Sequence, residues 1–258
     1  MKLRDEWIAP GGRVMLRIDI VSDVVCPWCF VGKRRLEAAL ALVRRDLPPD
    51  RQPAPRVVWK PFELNPGLPR GGIDRAAYRR AKFGSLEYSQ LLDARLLAVG
   101  ESVGIAFAFD KIRRTPNTFD AHRLLWLAGS LDRQDALAEA FFRAYFLEGQ
   151  NVGDHGVLAD LAGMAGIPRE RAASLLAGRD GEQAVRSEED WAWRSGIQGV
   201  PHFLIEGAAP ISGAQSPEVL AAAIREAVRR TGSSDAGTDV SAHLADESPG
   251  GAPAAAKE

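Results

Sequence analysis

The hydrophobic pattern near the start of the chain changes from that of a strand to that of a helix. Residues Val14 to Ser22 are rich in valine and isoleucine, which is typical of a buried strand. From about Pro27 to Asp46 apolar residues recur at helical spacing, and Pro48 and Pro49 end the pattern. A second strand is predicted over Arg56 to Lys60. The order strand, helix, strand predicts a parallel strand pair joined by a crossover helix.

The middle of the chain has almost no strand signal. Between about Asp74 and Ser195, glycine, asparagine and proline separate segments that have a helical pattern. Helices are predicted over Arg75 to Lys82, Leu86 to Val103, Phe119 to Leu127, Asp135 to Phe146, Gly156 to Met164, Arg169 to Leu176 and Glu182 to Arg194. Strand character returns at Val200 to Ile205, followed by a partner strand at Ala209 to Ser212 and a closing helix at Pro217 to Arg230. An all-helical subdomain is therefore predicted to be inserted into an α/β domain.

These patterns divide the chain into five segments. We expect a flexible N-terminus over residues 1–13, the first part of the α/β domain over 14–73, the helical insertion over 74–195 and the second α/β part over 196–230. Residues 231–258 are rich in glycine, serine, alanine, aspartate and proline, with hardly any large apolar side chain. Such a segment cannot bury enough apolar surface to order itself, so a disordered tail is predicted.

Composition and charge exclude several classes of partner. The chain has 258 residues, of which 46% are hydrophobic, and its net charge of −1 gives no electrostatic reason to bind nucleic acid. No apolar stretch approaches the length that a bilayer span or a secretory signal requires. We expect a soluble, cytoplasmic protein without a nucleic-acid or membrane partner. The oligomeric state is not indicated.

The only two cysteines lie where the first strand gives way to the first helix, in the tetrapeptide Cys26-Pro27-Trp28-Cys29. A helix N-terminus carries unpaired N–H groups and a partial positive charge, and both stabilise a thiolate at Cys26. Pro27 suits the first helical turn because its missing N–H leaves no hydrogen bond unmade. Cys29, one turn further along, can close a disulfide with Cys26 or resolve a mixed disulfide. The arrangement predicts thiol–disulfide exchange, with Cys26 as the exposed nucleophile and Cys29 as the buried resolving thiol.

Two other interpretations of the cysteines are a structural pair and half of a zinc site. Zinc sites need four ligands, and the other candidate ligands are His122, His155, His202 and His243. No two of these histidines have the close spacing of a metal-binding pair. No metal site is therefore predicted.

Four segments together resemble the FrnE-like branch of the DsbA family, whose members are thioredoxin-fold dithiol oxidoreductases with an inserted helical domain. Asp19 to Lys33, which includes the two cysteines, resembles the active-site segment of that branch. Trp59 to Pro66, Asn117 to Arg123 and Gly199 to Pro201 also fit, and the match covers roughly Val14 to Arg230. The resemblance implies an α/β, thioredoxin-like fold with an inserted all-helical subdomain.

The resemblance also implies which residues meet the substrate. Val200-Pro201 is expected to be a cis peptide that faces the cysteines, with Pro201 as an active-site residue and the Val200 backbone and Trp28 beside the substrate. His202 follows this proline directly and is a candidate for tuning the thiolate of Cys26. The kappa-class glutathione transferases and 2-hydroxychromene-2-carboxylate isomerases are related in architecture but carry serine where Cys26 stands.

Three more polar residues are candidates for proton transfer, capping or packing. Asp19, on the first strand, is a candidate proton acceptor for Cys29 during resolution. Asp23 is expected to cap a turn or the helix that follows. His122 shares a helical face with Phe119 and Trp126 and is expected to be a core or capping histidine.

The predicted function is a cytoplasmic dithiol–disulfide oxidoreductase that uses no cofactor beyond its own redox-active disulfide. Protein or small-molecule thiols and disulfides are the expected substrates, and glutathione is a candidate co-substrate. The alternative enzyme is a glutathione-dependent transferase or isomerase of the 2-hydroxychromene-2-carboxylate isomerase type. A non-enzymatic alternative is a partner-binding or chaperone-like protein.

Overall fold

A central mixed sheet organises the molecule, whose computed structural model describes residues 8–9 and 13–235. The strands in chain order are β1 (Ile8–Ala9), β2 (Arg13–Ser22), β3 (Ala54–Pro61), β4 (Ile73–Asp74), β5 (Arg114–Thr115), β6 (His202–Ile205) and β7 (Ile211–Ser212). In the central sheet β2 pairs in parallel with β3, as predicted, and antiparallel with β6 on its other side. β7 extends the sheet beyond β6, and β1 pairs with the start of β2.

Helices make up most of the rest of the fold. They are α1 (Pro27–Asp46), α2 (Arg75–Phe83), α3 (Leu86–Ser102), α4 (Phe119–Gly129), α5 (Gln134–Phe146), α6 (His155–Met164), α7 (Arg169–Ala177), α8 (Glu182–Arg194) and α9 (Pro217–Asp235). Each helix predicted between the second strand and β6 is present, with ends that differ from the prediction by at most two residues. Over the described part of the chain, no helix is both long and apolar enough to cross a bilayer.

Four details of the predicted organisation are corrected. Strand β1 lies within the N-terminus that was expected to be flexible, and β2 begins at Arg13 rather than Val14. The helical insertion carries a two-stranded ladder, β4 with β5, because two-residue strands are too short to give an alternating pattern. Helix α9 continues to Asp235, past the predicted end at Arg230. The rest of the predicted tail, and residues 1–7 and 10–12, lie outside the described residues.

The two faces of β2 have different neighbours, and this difference positions the site. Because side chains alternate along a strand, Ile18 and Ile20 point to one face and Val21 to the other. Ile18 and Ile20 are buried in the main core together with residues of α1 and α9. Val21 packs in a second, smaller cluster with Ala192 of α8 and Ile197. The sheet therefore separates α1, which carries the cysteines, from α8.

A buried arginine joins the helices of the insertion. The guanidinium of Arg123, in α4, is fully buried and donates to the carbonyl oxygens of Leu175, Gly178 and Asp180 at 2.6, 2.8 and 2.9 Å. It also donates to Asp120 at 2.8 Å. Buried charges are stable only when they are paired in this way. The hydrogen bonds of Arg123 thus hold α4 against the end of α7.

Candidate functional site

Cys26 occupies the N-cap position of α1. Strand β2 ends at Ser22, and the backbone turns so that the Cys26 amide donates to the carbonyl of Asp23 at 3.0 Å. Cys26 itself has extended backbone angles (φ −89°, ψ 112°), and Pro27 begins the helix. The Cys26 carbonyl accepts from the amide of Cys29 at 3.0 Å. The first cysteine therefore lies where the unpaired N–H groups of the helix favour a negative charge.

The two cysteines have unequal surroundings. Both are free thiols. Cys29 is fully enclosed, and burial raises its pKa well above the ordinary value, with the neighbouring Cys26 thiol adding to the increase. The Ser22 hydroxyl and the Asp23 backbone amide lower it by less. Cys26 was expected to be exposed but is only 4% exposed, because the loop before β6 and the helical insertion surround it. It is reached through a cavity.

The loop before β6 touches Cys26 directly. The Val200-Pro201 peptide is cis, as the resemblance implies. The Cys26 thiol donates to the Val200 carbonyl oxygen at 3.6 Å. Gly32 of α1 makes room for this approach, since a Cβ built there would lie 3.0 Å from Cγ of Pro201. The Val200-Pro201 peptide is therefore placed against the start of α1, with Val200 in contact with Cys26.

A cavity of about 490 Å³ opens beside Cys26. Trp28, 42% exposed, and the Gly199–Val200 backbone flank the cysteine at its edge. Further apolar walls come from the helical insertion and the segment before it, and include Leu64, Phe83, Leu92, Leu96, Phe109 and Phe146. The space has the size and apolar lining typical of a small-molecule site.

Cationic side chains from α2 and α3 surround this cavity. Arg75 and Arg79 both pair with Asp93, at 3.1 and 2.5 Å. Lys82 donates to the Tyr78 hydroxyl at 2.6 Å and lies over its ring. Arg95 also lines the cavity. One carboxylate thus faces four cations, and the excess positive charge favours an anionic ligand.

Comparison with known proteins agrees with this geometry. Residues 17–225 match the family model of the DSBA-like thioredoxin domain. The chain belongs to this family. A probable DsbA oxidoreductase of Streptomyces coelicolor is 34% identical, with 90% of this chain and 94% of that chain covered and a TM-score of 0.73.

Two further relatives are more distant. The uncharacterized protein YwbO of Bacillus subtilis is 28% identical over 212 residues, which are 82% of this chain and 96% of that protein. The cytosolic disulfide reductase DsbM of Pseudomonas aeruginosa is 18% identical, covers 83% of this chain and 99% of its own, and has a TM-score of 0.56. At that identity the likeness to DsbM shows the fold alone. The thioredoxin-like fold with a helical insertion is therefore confirmed.

Two residues predicted for the site of this DSBA-like domain do not lie where they were expected. Asp19 accepts two hydrogen bonds from Arg17, at 2.8 and 3.0 Å, and is aligned with Leu204 on the sheet face away from α1. His202 is aligned with Val21 on that same face, and its neighbour Phe203 points into the core instead. Burial alone lowers the pKa of His202. Strand alternation thus takes both side chains away from Cys29 and from the cavity.

Four ionisable residues near the cysteines, three of them buried and Glu189 half-buried, were missed as a group. Asp23 and His122 are almost fully enclosed, with His122 Nε2 3.6 Å from Asp23 Oδ1. The other Asp23 oxygen accepts from the amide of Leu64 at 2.8 Å. Glu63 and Glu189 complete the group, since each influences the pKa of His122. Asp23 was expected only to cap a turn or the helix, and His122 only to be a core or capping residue. Glu63 lies in the Trp59-to-Pro66 segment that carries the resemblance but was given no role, and Glu189 lies in no such segment.

The electrostatics of this group differ from those of the cavity. Burial and the charge of Glu189 raise the pKa of Glu63 to about 7, and burial raises that of Glu189 as well. Burial lowers the pKa of His122, but Asp23 and the two glutamates outweigh it, and the net shift is upward. No arrangement of histidine, cysteine and carboxylate side chains suited to a metal ion occurs in residues 8–9 and 13–235.

Proposed function

We propose that this protein is a thiol–disulfide oxidoreductase in which Cys26 attacks and Cys29 resolves. The observation that carries the proposal is the inequality of the two thiols: Cys26 begins a helix and borders the cavity, whereas Cys29 is enclosed one turn behind it. Attack requires an accessible thiolate at a helix N-terminus. Resolution requires a second thiol that incoming substrates cannot reach.

The proposed exchange balances as follows. The Cys26 thiolate attacks one sulfur of a substrate disulfide, a Cys26–substrate disulfide forms, and the other substrate sulfur leaves as a thiolate and takes up a proton. Cys29 loses its proton and attacks Cys26, which forms the Cys26–Cys29 disulfide and releases the second substrate thiol. Two electrons pass to the substrate. Two outside thiols, such as two glutathione molecules, then restore the dithiol and leave as a disulfide.

The cavity supports small anionic thiols and disulfides as substrates or co-substrates. Glutathione carries two carboxylates and one ammonium, and the cationic side chains Arg79, Lys82 and Arg95 complement its net negative charge. A structure of the relative DsbM with GSH is consistent with such a ligand. We place Trp28, Val200 and Pro201 as the residues that contact the substrate sulfur, with Val200 presenting its carbonyl beside Cys26.

The proposed location is the cytoplasm, which is also where DsbM is described as acting. A cytosolic glutathione pool poised at about −220 mV or below keeps most dithiols reduced. The proposed direction is therefore reduction or isomerisation of substrate disulfides, with glutathione as the electron donor.

A glutathione-dependent transferase or isomerase is the second candidate, and the cationic cavity beside the helix N-terminus favours it too. Such an enzyme would hold the glutathione sulfur at the helix and would need no resolving thiol. Cys29 is the feature that separates the two candidates. Its enclosed position next to Cys26 has a purpose only in exchange chemistry.

The test is insulin reduction by the wild type, Cys26→Ser and Cys29→Ser, with and without glutathione. Because the chain has only two cysteines, each variant retains a single thiol, which simplifies the mass spectra. We expect no activity from Cys26→Ser, and from Cys29→Ser slow turnover with a trapped Cys26–glutathione adduct. Disulfide reduction that persists in Cys26→Ser would exclude the proposal. Conjugation of glutathione to an electrophile such as 1-chloro-2,4-dinitrobenzene, retained in both variants, would favour the transferase.

A further inference from the structure

A largely buried cluster of ionisable side chains lies next to the turn before the cysteines and does not line the cavity. Its members are Asp23, Glu63, His122 and Glu189, and they come from four places in the chain: the turn after β2, the segment after β3, α4 and α8. Asp23, Glu63 and His122 are 0%, 6% and 2% exposed. We call this group the acidic cluster. It joins the turn between β2 and α1, which leads to the cysteines, to the helical insertion.

Three atoms of the acidic cluster lack a hydrogen-bond partner among the described residues. They are Oε2 of Glu63, Oε1 of Glu189 and Nε2 of His122, and each is shut off from solvent. An ionised oxygen buried without a partner is costly, and keeping a proton is the way to lower that cost. The structure therefore favours at least one proton held between the glutamates and the histidine.

The charges around the cluster agree with one stored proton. Asp23, Glu63 and Glu189 bring three potential negative charges, whereas Arg186 of α8 and the protonated form of His122 bring two positive ones. One further proton, held by a glutamate, makes the group neutral. The pKa of Glu63 is raised to about 7, so protonation of the cluster changes in the neutral range. Tyr145 of α5 also senses the charge of Asp23, but burial raises its own pKa and it stays neutral.

One residue connects the acidic cluster to both cysteines. The carbonyl oxygen of Asp23 accepts from the Cys26 amide at 3.0 Å. The amide of Asp23, with the Ser22 hydroxyl, lies beside the Cys29 thiol and lowers its pKa. The Asp23 carboxylate contacts His122 at 3.6 Å. A charge that appears on the cysteines is therefore felt by the cluster over a short, buried path, where water screens little.

We propose that the acidic cluster is a redox-linked proton site that takes up a proton when the Cys26–Cys29 disulfide is reduced and releases it when the disulfide forms. This inference rests on the cysteine pair of the proposed function. Reduction by a small dithiol transfers two electrons to the disulfide and delivers two protons. One proton goes to Cys29, the other to the acidic cluster, and Cys26 is left as a thiolate whose negative charge the cluster proton balances. The four residues are positioning residues, because they act through Asp23 and do not touch substrate.

The experiment measures the equilibrium between the protein and mixtures of reduced and oxidised dithiothreitol from pH 6 to pH 8.5. Dithiothreitol reduces any accessible disulfide, so the measurement does not depend on turnover of a natural substrate. The variants are Glu63→Gln and Glu189→Gln, which keep side-chain size and remove the titrating oxygen. Glu101→Gln, on the exposed end of α3, is the matched control.

For the wild type we expect the equilibrium constant to change slope near pH 7, where Glu63 titrates. A difference of one pKa unit between the oxidised and reduced states changes the constant by about tenfold across this range. Glu63→Gln and Glu189→Gln should lose most of that change, and Glu101→Gln should keep it. If the glutamates had a purely structural role, each substitution would change the equilibrium constant by the same factor at every pH.

Two outcomes separate this inference from the proposed function. If the slope change is absent in the wild type, or survives unchanged in both glutamine variants, the redox-linked proton site is excluded even though insulin reduction proceeds. If the slope change follows the glutamates but no disulfide substrate is turned over, the proton site stands and the enzymatic proposal fails.

Discussion

The two sides of the Cys26–Cys29 pair contrast in charge and in access to water. On one side is the cavity, which is apolar within and surrounded by cations from α2 and α3 that lie near solvent. On the other is the acidic cluster, in which Asp23 and Glu63 are buried and Glu189 is half-buried, and two carboxylate oxygens have no hydrogen-bond partner in the described chain. The surroundings of the two cysteines thus carry excess positive charge around the cavity and excess negative charge in the acidic cluster.

This difference separates recognition from proton control. Charges near water cost little to maintain and act over a distance, so they attract ligands without strongly changing their own protonation. Charges enclosed in protein respond to every neighbouring charge, and their pKa values move into the physiological range. The cavity side is suited to choosing a substrate, and the cluster side to responding to the redox state of the cysteines.

The largest expected effect concerns the reactivity of the two thiols. Alkylation of the reduced protein with iodoacetamide at pH 7 should label Cys26 at least about a hundredfold faster than Cys29, because Cys29 is enclosed and its pKa is raised by burial. Peptide mass spectrometry of samples quenched at short times measures both rates. Equal labelling would mean that the cavity does not control access.

The next effect is on stability and tests the cluster side. Glu63 binds a proton more tightly in the folded protein, with a pKa of about 7, than in the unfolded chain, where it is ordinary at 4.5. The stability it contributes is therefore complete below about pH 4.5 and lost as the pH rises through 7. The pKa of His122 is also raised, so the stability that protonated His122 contributes is lost as the pH rises above the ordinary histidine pKa of 6.5. Between pH 5 and pH 8 the free energy of unfolding should fall by about 1–2 kcal/mol more for the wild type than for Glu63→Gln.

Urea unfolding at the two pH values measures this difference, with Glu101→Gln as the control that should follow the wild type. If the free energy of unfolding changes equally with pH for the wild type and Glu63→Gln, Glu63 has an ordinary pKa in the folded protein. The cavity and the acidic cluster would then differ only in their access to water.

A smaller effect is expected from the cations of the cavity. The double variant Lys82→Ala, Arg95→Ala removes two exposed charges and should raise KM for glutathione disulfide about fivefold with kcat little changed, since exposed charges contribute about 0.2–1 kcal/mol each. Arg80→Ala, on the same helix as Lys82 but away from the cavity, is the control. Added salt should raise the KM for glutathione disulfide more for the wild type than for the double variant. A fall in kcat with KM unchanged would place these residues in the chemistry instead.

Local patterns in the sequence predicted most of the helices and strands and the position of the cysteines at a helix start. The strand, the helix and the cysteines are neighbours in the chain, so hydrophobic spacing and the N-terminal proline suffice to place Cys26 at the start of α1. Val200 and Pro201 could be assigned only by resemblance, because their contact with Cys26 spans 174 positions in the chain.

What could not be predicted depends on which face a side chain takes. Asp19 and Asp23 are both acidic residues shortly before Cys26, yet Asp19 points to the α8 side of the sheet and Asp23 lies in the turn beneath the cysteines. Register with β6 and packing of α8 decide this, and neither leaves a local signal. The same holds for Glu63, His122 and Glu189, which meet only because the helical insertion packs against the sheet.

The smallest effect tests how closely the Val200-Pro201 loop must approach α1. Within a helix, replacing glycine by alanine favours folding by about 1 kcal/mol, because alanine has less backbone freedom to lose. At Gly32, however, the new Cβ would lie 3.0 Å from Cγ of Pro201 and 3.1 Å from Cζ of Phe203, and such overpacking costs about 1–3 kcal/mol. The two terms nearly cancel, so Gly32→Ala should change the unfolding free energy by about 1 kcal/mol or less. Insulin reduction should nevertheless slow, since Pro201 is pushed away from Cys26.

Gly163→Ala in α6, where the nearest atom is 4.0 Å away, is the matched control and should stabilise the fold without changing the rate. If Gly32→Ala instead behaves like Gly163→Ala in both measurements, the loop tolerates displacement and its contact with the Cys26 thiol is not needed for exchange.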